Sequence, residues 1–194
     1  MSKFYYNEEQ ESYDAIVVGT GISGGWAAKE LCEKGLKTLV LERGKKLDHV
    51  VDYSTANMAP WEFKHHGRAT QEDKEKFPVA TRIYAFNEGT RHLWINEKEN
   101  PYTVPENQEY HWMRGDHVGG RSIMWGRQVY RLSDLDFEAN AKDGHGVDWP
   151  VRYREIAPWY DYVEKHIGVS GQKEGYAQLP DGQFLPPMEM NCVE

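Results

Sequence analysis

The chain has 194 residues and a mass of 22.5 kDa, enough for one domain of ordinary size with its own core but not for two large ones. Charged residues make up 28%, mean hydropathy is −0.79 and no long apolar run occurs, which excludes a transmembrane helix. The net charge of −8 disfavours nucleic acid as a partner, because phosphate contacts need a basic surface. Residues 1–12 form a polar leader without the apolar segment of a signal peptide, so a cytoplasmic location is expected. Cys32 and Cys192, far apart, indicate neither a disulfide framework nor a cysteine metal site.

Tyr13–Val18 is brief, apolar and β-branched and stops at Gly19, which predicts a strand buried on both faces of a parallel sheet. A helix follows over Trp26–Lys34, with Ala27, Ala28, Leu31 and Cys32 sharing one apolar face, and Gly35 ends it. On that face Cys32 is expected to pack rather than react. Leu36–Leu41 is a second strand, closing on Glu42, so the segment is one βαβ unit.

Between the first strand and the helix lie Gly19, Gly21 and Gly24 in the spacing Gly-x-Gly-x-x-Gly. In that context the pattern has a mechanism. Gly19 permits a tight turn, Gly21 clears a path for a pyrophosphate, and Gly24 lets helix and strand approach, while N–H groups at the helix start face the phosphate charge. Glu42 falls at the position of a carboxylate that accepts hydrogen bonds from an adenosine ribose. Dinucleotide binding is the expectation, and this unit alone does not distinguish FAD from NAD. The bland alternative is a glycine-rich turn in an unrelated α/β protein.

Residues 45–108 read as a surface excursion, including the charge-dense run Gln71–Lys76. Within it, Val79–Phe86 and Thr90–Ile95 flank Asn87-Glu88-Gly89 as a hairpin with a three-residue loop and a left-handed glycine. His65 and His66 are adjacent and lack a spaced third ligand, so they read as solvated side chains, not a metal site. Gly119 and Gly120, followed by Ser122, suggest close approach of backbone to a ligand, though such a pair is also an ordinary turn. Asp148-Trp149-Pro150 then reads as a turn and Tyr153–Ile167 as a helix, with Pro158 in its first turn, packing aromatics on its face and Gly168 at its end.

Taken together, Gly19–Gly25, Glu42-Arg43-Gly44, Val118–Gly126 and Asp148-Trp149-Pro150 resemble the glucose-methanol-choline oxidoreductases, closest to their bacterial sugar-oxidising branch near pyranose oxidase and glucoside 3-dehydrogenase. The resemblance spans about Tyr13 to Gly168. It implies an α/β, Rossmann-like FAD-binding domain over 13–168, incomplete, with a looser excursion and a C-terminal helix, and a further truncated segment over 169–194. It also selects FAD over NAD. The first motif, with Gly19, Gly21, Ser23 and Gly24, would hold the pyrophosphate. Glu42 and Arg43 would lie at the ribose, and the loop with Gly119, Gly120, Ser122, Met124 and Trp125 beside the isoalloxazine. Some relatives carry, at the position of Met124, a histidine bonded covalently to the flavin; methionine cannot form that bond, so noncovalent FAD is expected.

The activity implied is oxidation of a CH–OH carbon of a sugar or other alcohol by hydride transfer to flavin, with the electron acceptor unspecified. Family catalytic residues lie far downstream, so the sequence looks like the N-terminal part of such an enzyme and is expected to be inactive alone. None of His49, His92, His111, His117, His145 or His166 matches the family's base, and no catalytic residue is assigned. Relatives can have a partner subunit and be exported with a signal-bearing one, which keeps a periplasmic location open. Two rivals stand beside this reading: an NAD-dependent dehydrogenase module, and a noncatalytic nucleotide-binding or interaction domain.

Overall fold

The computed structural model describes residues 12–193. They form two compact units, one reaching to Trp125 and the other starting at Gly126.

The first unit opens with strand β1 (Ala15–Val18), helix α1 (Ile22–Glu33) and strand β2 (Thr38–Leu41). The strands pair in parallel, Ala15 opposite Thr38 and Val18 opposite Leu41, so the βαβ unit is present. Asp14 extends the pairing: its N–H donates to the Lys37 carbonyl at 2.9 Å, and its carboxylate accepts from the Lys37 N–H at 2.8 Å. Helix α1 starts four residues earlier than Trp26, because its first turn includes the glycines that sequence reading assigned to the loop. It closes where expected. Gly35 takes the left-handed conformation at φ 82°, and the N–H groups of Gly35 and Leu36 reach back to the carbonyls of Cys32 and Leu31.

Burial of the unit departs from expectation. Only Val17 of β1 is buried; Ile16 and Val18 are 62% and 80% exposed, and α1 has no buried residue. Cys32 is likewise exposed rather than packed. The reason is the size of the sheet: among the described residues it has two strands, and a strand becomes buried on both faces only when layers cover both.

The core of this unit lies elsewhere, in the segment read as a surface excursion. Phe77, Ala80 and Phe86 are buried together against Ala69, Ile83 and Trp94, with the Phe77 and Phe86 rings 5.2 Å apart. The charge-dense run is a helix, α2 (Gln71–Lys76), capped by Thr70, whose Oγ1 accepts from the Asp73 N–H at 3.1 Å while the Asp73 carboxylate accepts from the Thr70 N–H at 2.9 Å. Asp73 is 2% exposed and paired with Arg91 at 3.1 Å, so one charge in the run is interior.

The expected hairpin over Val79–Ile95 does not form. Two 3₁₀ turns, Ala80–Arg82 and Arg91–Leu93, stand in place of its strands, and Gly89 is not left-handed. Side chains captured the backbone that a hairpin ladder would have used. Asn87 Oδ1 accepts from the N–H groups of Gly89 and Thr90 at 2.9 and 3.0 Å, and Glu97 accepts from those of Val79 and Ala80 at 2.7 and 3.0 Å. His65 and His66 are exposed.

The second unit holds short helices α3 (Asp134–Phe137) and α4 (Ala139–Asp143) and the long α5 (Tyr153–Ile167). Arg152 caps α5 through its N–H to Glu155 Oε2 at 2.8 Å, which puts Pro158 in the helix interior instead of the first turn; Gly168 ends it at φ 73°. Its aromatics pack only in part: the Tyr153 and Tyr160 rings lie 6.5 Å apart with Arg131 over Tyr160, while Trp159 is 66% exposed.

What anchors α5 is an ion pair. Arg131, 4% exposed at its side chain, donates through Nε and Nη2 to the two oxygens of Glu164 at 2.8 and 2.5 Å, with Asp161 and the Tyr153 hydroxyl taking further bonds. Those acceptors, Glu164 first, hold the guanidinium even more firmly protonated than usual. Glu164→Ala would leave the Arg131 charge buried without its main partner, at a cost of about 3–5 kcal/mol. Urea unfolding followed by tryptophan fluorescence should show the second unit destabilised by that order, and a change under about 0.5 kcal/mol would contradict the anchoring role.

Candidate nucleotide site

Gly19 makes the turn out of β1 at φ 88°, a conformation a side chain disfavours, and its N–H donates to the Leu41 carbonyl at 2.7 Å. Gly24 cannot be replaced without movement. A Cβ there would lie 2.0 Å from the Gly19 carbonyl oxygen, the close helix–strand approach the spacing predicts. Gly21, by contrast, faces open space, with nothing within 4 Å of the position its Cβ would take. It is also the N-cap of α1, without a side-chain cap, and the first turn carries no acidic residue. The N–H groups of that turn are thus left without a local side-chain acceptor, the condition in which a helix start favours an anion. Ser23 is exposed on the same turn.

Glu42, at the end of β2, reaches back to this loop. Its Oε2 accepts from the Thr20 N–H at 2.7 Å and the Thr20 hydroxyl at 2.5 Å, and its Oε1 accepts from the Gly44 N–H at 2.7 Å. The Thr20 hydroxyl, then the Gly44 N–H, hold the carboxyl down from 4.5 to about 2, outweighing its slight desolvation. A carboxylate oxygen can accept more than one bond, so Oε1 keeps capacity for another donor.

Thr20 does more than bind Glu42. Its Oγ1 also accepts from the Gly119 N–H at 2.9 Å, bringing together loops 99 residues apart. Gly119 and Gly120 are left-handed, at φ 88° and 51°, and open a 3₁₀ turn over Gly120–Ile123. A Cβ on Gly120 would lie 3.2 Å from Gly21 Cα. Ser122 spends its hydroxyl on the Gly119 carbonyl. Thr20 occupies a variable position of the glycine pattern, and the spacing does not mark it as the residue that bridges to Glu42 and Gly119.

The third approach is at Gly44, where a Cβ would fall 2.4 Å from the His117 nitrogen. There the chain makes a parallel bridge between Lys45 and His117, the Val118 N–H donating to the Lys45 carbonyl at 2.9 Å. Arg43 pairs with Asp116 at 3.1 Å on the surface. Met124 Sδ and His117 Nε2 both crowd Gly115, at 2.7 and 3.0 Å from where its Cβ would stand. Trp125 is 38% exposed. Thus the structure brings the glycine fingerprint, Glu42, Arg43 and the Gly119–Met124 loop into one region, with Ser23 exposed on the first turn of α1 and Trp125 38% exposed where that loop ends.

His117 stands out. It is 2% exposed and neither ring nitrogen has a hydrogen-bond partner; the other buried side-chain polar atoms without partners, among the described residues, are Trp94 Nε1 and Arg114 Nε. Each such atom costs about 1–3 kcal/mol. Among the described residues no cluster of three or more His, Cys, Asp or Glu could hold a metal, and no helix is long and apolar enough to cross a membrane.

The geometry is that of a glycine-lined turn on a βαβ unit, with open space at Gly21, an uncapped helix start and a carboxylate just past the second strand. No family model matches the chain. It is 30% identical over 168 residues, 86% of its length, to oxygen-dependent choline dehydrogenase of Xanthomonas axonopodis pv. citri. It is 27% identical over 177 residues, 84% of its length, to the gluconate 2-dehydrogenase flavoprotein of Pantoea cypripedii. Fructose dehydrogenase large subunit of Gluconobacter japonicus is 25% identical over 186 residues, 93% of the chain. The chain spans between 26% and 30% of the length of these relatives. They bear out the resemblance to the glucose-methanol-choline oxidoreductases read from the motifs.

Because Glu42 is held down in the folded chain, its contribution to stability is present above its ordinary 4.5 and is lost as pH falls from there towards about 2. Thr20→Val removes the main cause. Thermal unfolding at about pH 5 and about pH 3 should show a smaller acid loss in the variant than in the parent. Equal losses would show that the Thr20–Glu42 bond does not lower the carboxyl.

Proposed function

We propose that the chain is the FAD-binding portion of an oxidoreductase that oxidises a CH–OH group of a sugar or other alcohol. The observation that carries this reading is the meeting of the two glycine loops, Gly19–Gly24 and Gly119–Gly120, through Thr20, with Glu42 beneath them. Open space at Gly21 and the uncapped first turn of α1 fit a pyrophosphate. Backbone N–H groups of Ile22 and Ser23 would face it, and Glu42 Oε1 would accept a ribose hydroxyl while repelling a 2′-phosphate. Gly120, Ser122, Met124 and Trp125 would line the flavin ring side. When bound, the flavin supplies the hydride acceptor, and the protein's part is to orient it against substrate.

The names of the relatives support the substrate class: choline, gluconate and fructose dehydrogenases act on alcohol or sugar donors, and one is called a flavoprotein. The Gly119–Trp125 loop against the fingerprint favours FAD over NAD, since a nicotinamide module has no use for it. With methionine at 124, the flavin is held noncovalently. The relative called a large subunit favours a partner subunit here too, and a cytoplasmic site of folding with export only alongside such a partner. No residue of this chain is assigned as the base, and residues 1–194 alone are proposed to be inactive.

The full-length protein should be yellow, and acid precipitation should leave its FAD in the supernatant. Colour in the pellet would contradict noncovalent binding; a protein that takes up NAD and no flavin would favour the nicotinamide rival. Gly21→Ala, a change the ligand-free fold has room for, should weaken FAD about tenfold or more by fluorescence titration, with the melting temperature of the FAD-free protein within a few degrees of the parent's. Equal affinity would remove Gly21 from the site.

A further inference from the structure

The buried side-chain polar atoms without partners, among the described residues, are four: both ring nitrogens of His117, Arg114 Nε and Trp94 Nε1. They are not scattered. Trp94 and Gly115 form an antiparallel bridge, the Ile95 N–H donates to the Arg114 carbonyl at 3.1 Å, and the His117 ring crowds Gly115. Trp94 and Arg114 thus sit at one bridge, and His117, whose own backbone bridges to Lys45, lays its ring against that bridge at Gly115. Arg114 has other anchors, donating through Nη2 to the Asn100 carbonyl at 2.5 Å and lying over the rings of Tyr102 and Trp112 at 5.0 and 4.8 Å. Trp94 has its packing against Phe86, with centroids 6.0 Å apart. His117 has no polar anchor for its side chain.

A histidine retained only for packing usually places its N–H on a carbonyl or carboxylate, which also fixes its tautomer. His117 does neither, although its backbone is closely packed within the site. Its backbone nitrogen lies against Gly44, three residues past β2, and its carbonyl accepts from the Gly120 N–H at 2.9 Å, within the loop that lies against Gly21. An imidazole in that place is two residues from the glycine bonded to Thr20, and beside Met124 Sδ.

We infer that His117 is a cofactor-contacting side chain, its imidazole N–H donating to an acceptor oxygen of the bound dinucleotide, either a phosphate oxygen or a ring carbonyl. This rests on the dinucleotide reading and deepens it. The ring lies against Gly115 with both nitrogens unpaired, and a side-chain rotation toward the cofactor would give it a partner, beside the left-handed pair Gly119–Gly120. His117 thus favours the loaded state at the expense of the empty one. It takes no part in proton transfer in this account.

The test compares His117→Leu and His117→Gln with the parent in the full-length protein, reading FAD affinity by fluorescence, ADP affinity by competition, and the melting temperature of the FAD-free protein. The expected result is an FAD-free melting temperature for His117→Leu at or above the parent's, together with FAD binding weakened about tenfold or more, and partial recovery in His117→Gln. A parallel loss for ADP assigns the partner to phosphate; a loss for FAD alone assigns it to the ring carbonyls. Both support the inference. Unchanged FAD and ADP affinities in a parent that binds them would overturn the inference alone, as would a fall in the FAD-free melting temperature of both variants that accounts for the weakened binding. A parent that binds neither FAD nor ADP would overturn the dinucleotide reading and this inference with it.

Discussion

The loops of the candidate site are joined through one hydroxyl. Thr20 Oγ1 donates to Glu42 and accepts from the Gly119 N–H, so a single side chain joins the end of β2, the loop after β1 and a loop 99 residues further along. Each bond is modest in water, but a hydroxyl used in both directions fixes the relative position of three segments at once, and its acceptor is charged. The glycines then act as spaces between fixed walls. Gly24 allows α1 to lie against the turn, Gly120 allows the second loop to lie against Gly21, and Gly44 allows the bridge to His117. What the arrangement leaves open is the region in front of Gly21 and the uncapped start of α1.

Local chemistry made the βαβ unit legible. A β-branched run, a glycine turn, a helix ended by Gly35 and a second run need only nearest neighbours to be recognised, and the parallel pairing follows from them. The roles given to Gly19 and Gly24 are geometric and appear as geometry. Thr20 was not legible, because its partners Glu42 and Gly119 are distant and sequence spacing says nothing about which variable residue will bridge them.

The middle of the chain departs from its sequence pattern for a physical reason. Alternating apolar residues over Val79–Ile95 suit a strand pair, but Asn87 and Glu97 offered the backbone N–H groups carboxamide and carboxylate acceptors close by, and two 3₁₀ turns resulted. A charge-rich run usually means a solvated face, yet Thr70 and Asp73 closed a reciprocal cap and Arg91 came to neutralise the buried carboxylate. Exposure of β1 and β2 has the opposite origin. Burial on both faces is a property of the sheet to which a strand belongs, and the strand's own sequence cannot supply the covering layers. In the second unit, the bond between Arg131 and Glu164 is equally invisible in the sequence, since they stand 33 positions apart and no periodicity pairs the two.

The central claim is that the Glu42–Thr20–Gly119 connection assembles a cradle for a dinucleotide pyrophosphate. A structure of the full-length protein determined with FAD tests it most directly. The account predicts the pyrophosphate between Gly21 and Gly120, within hydrogen-bond reach of the first N–H groups of α1, with both bonds of the Thr20 hydroxyl retained. A flavin nucleotide seated elsewhere, or a Thr20 side chain turned away from Glu42 and Gly119 in the loaded protein, would contradict it.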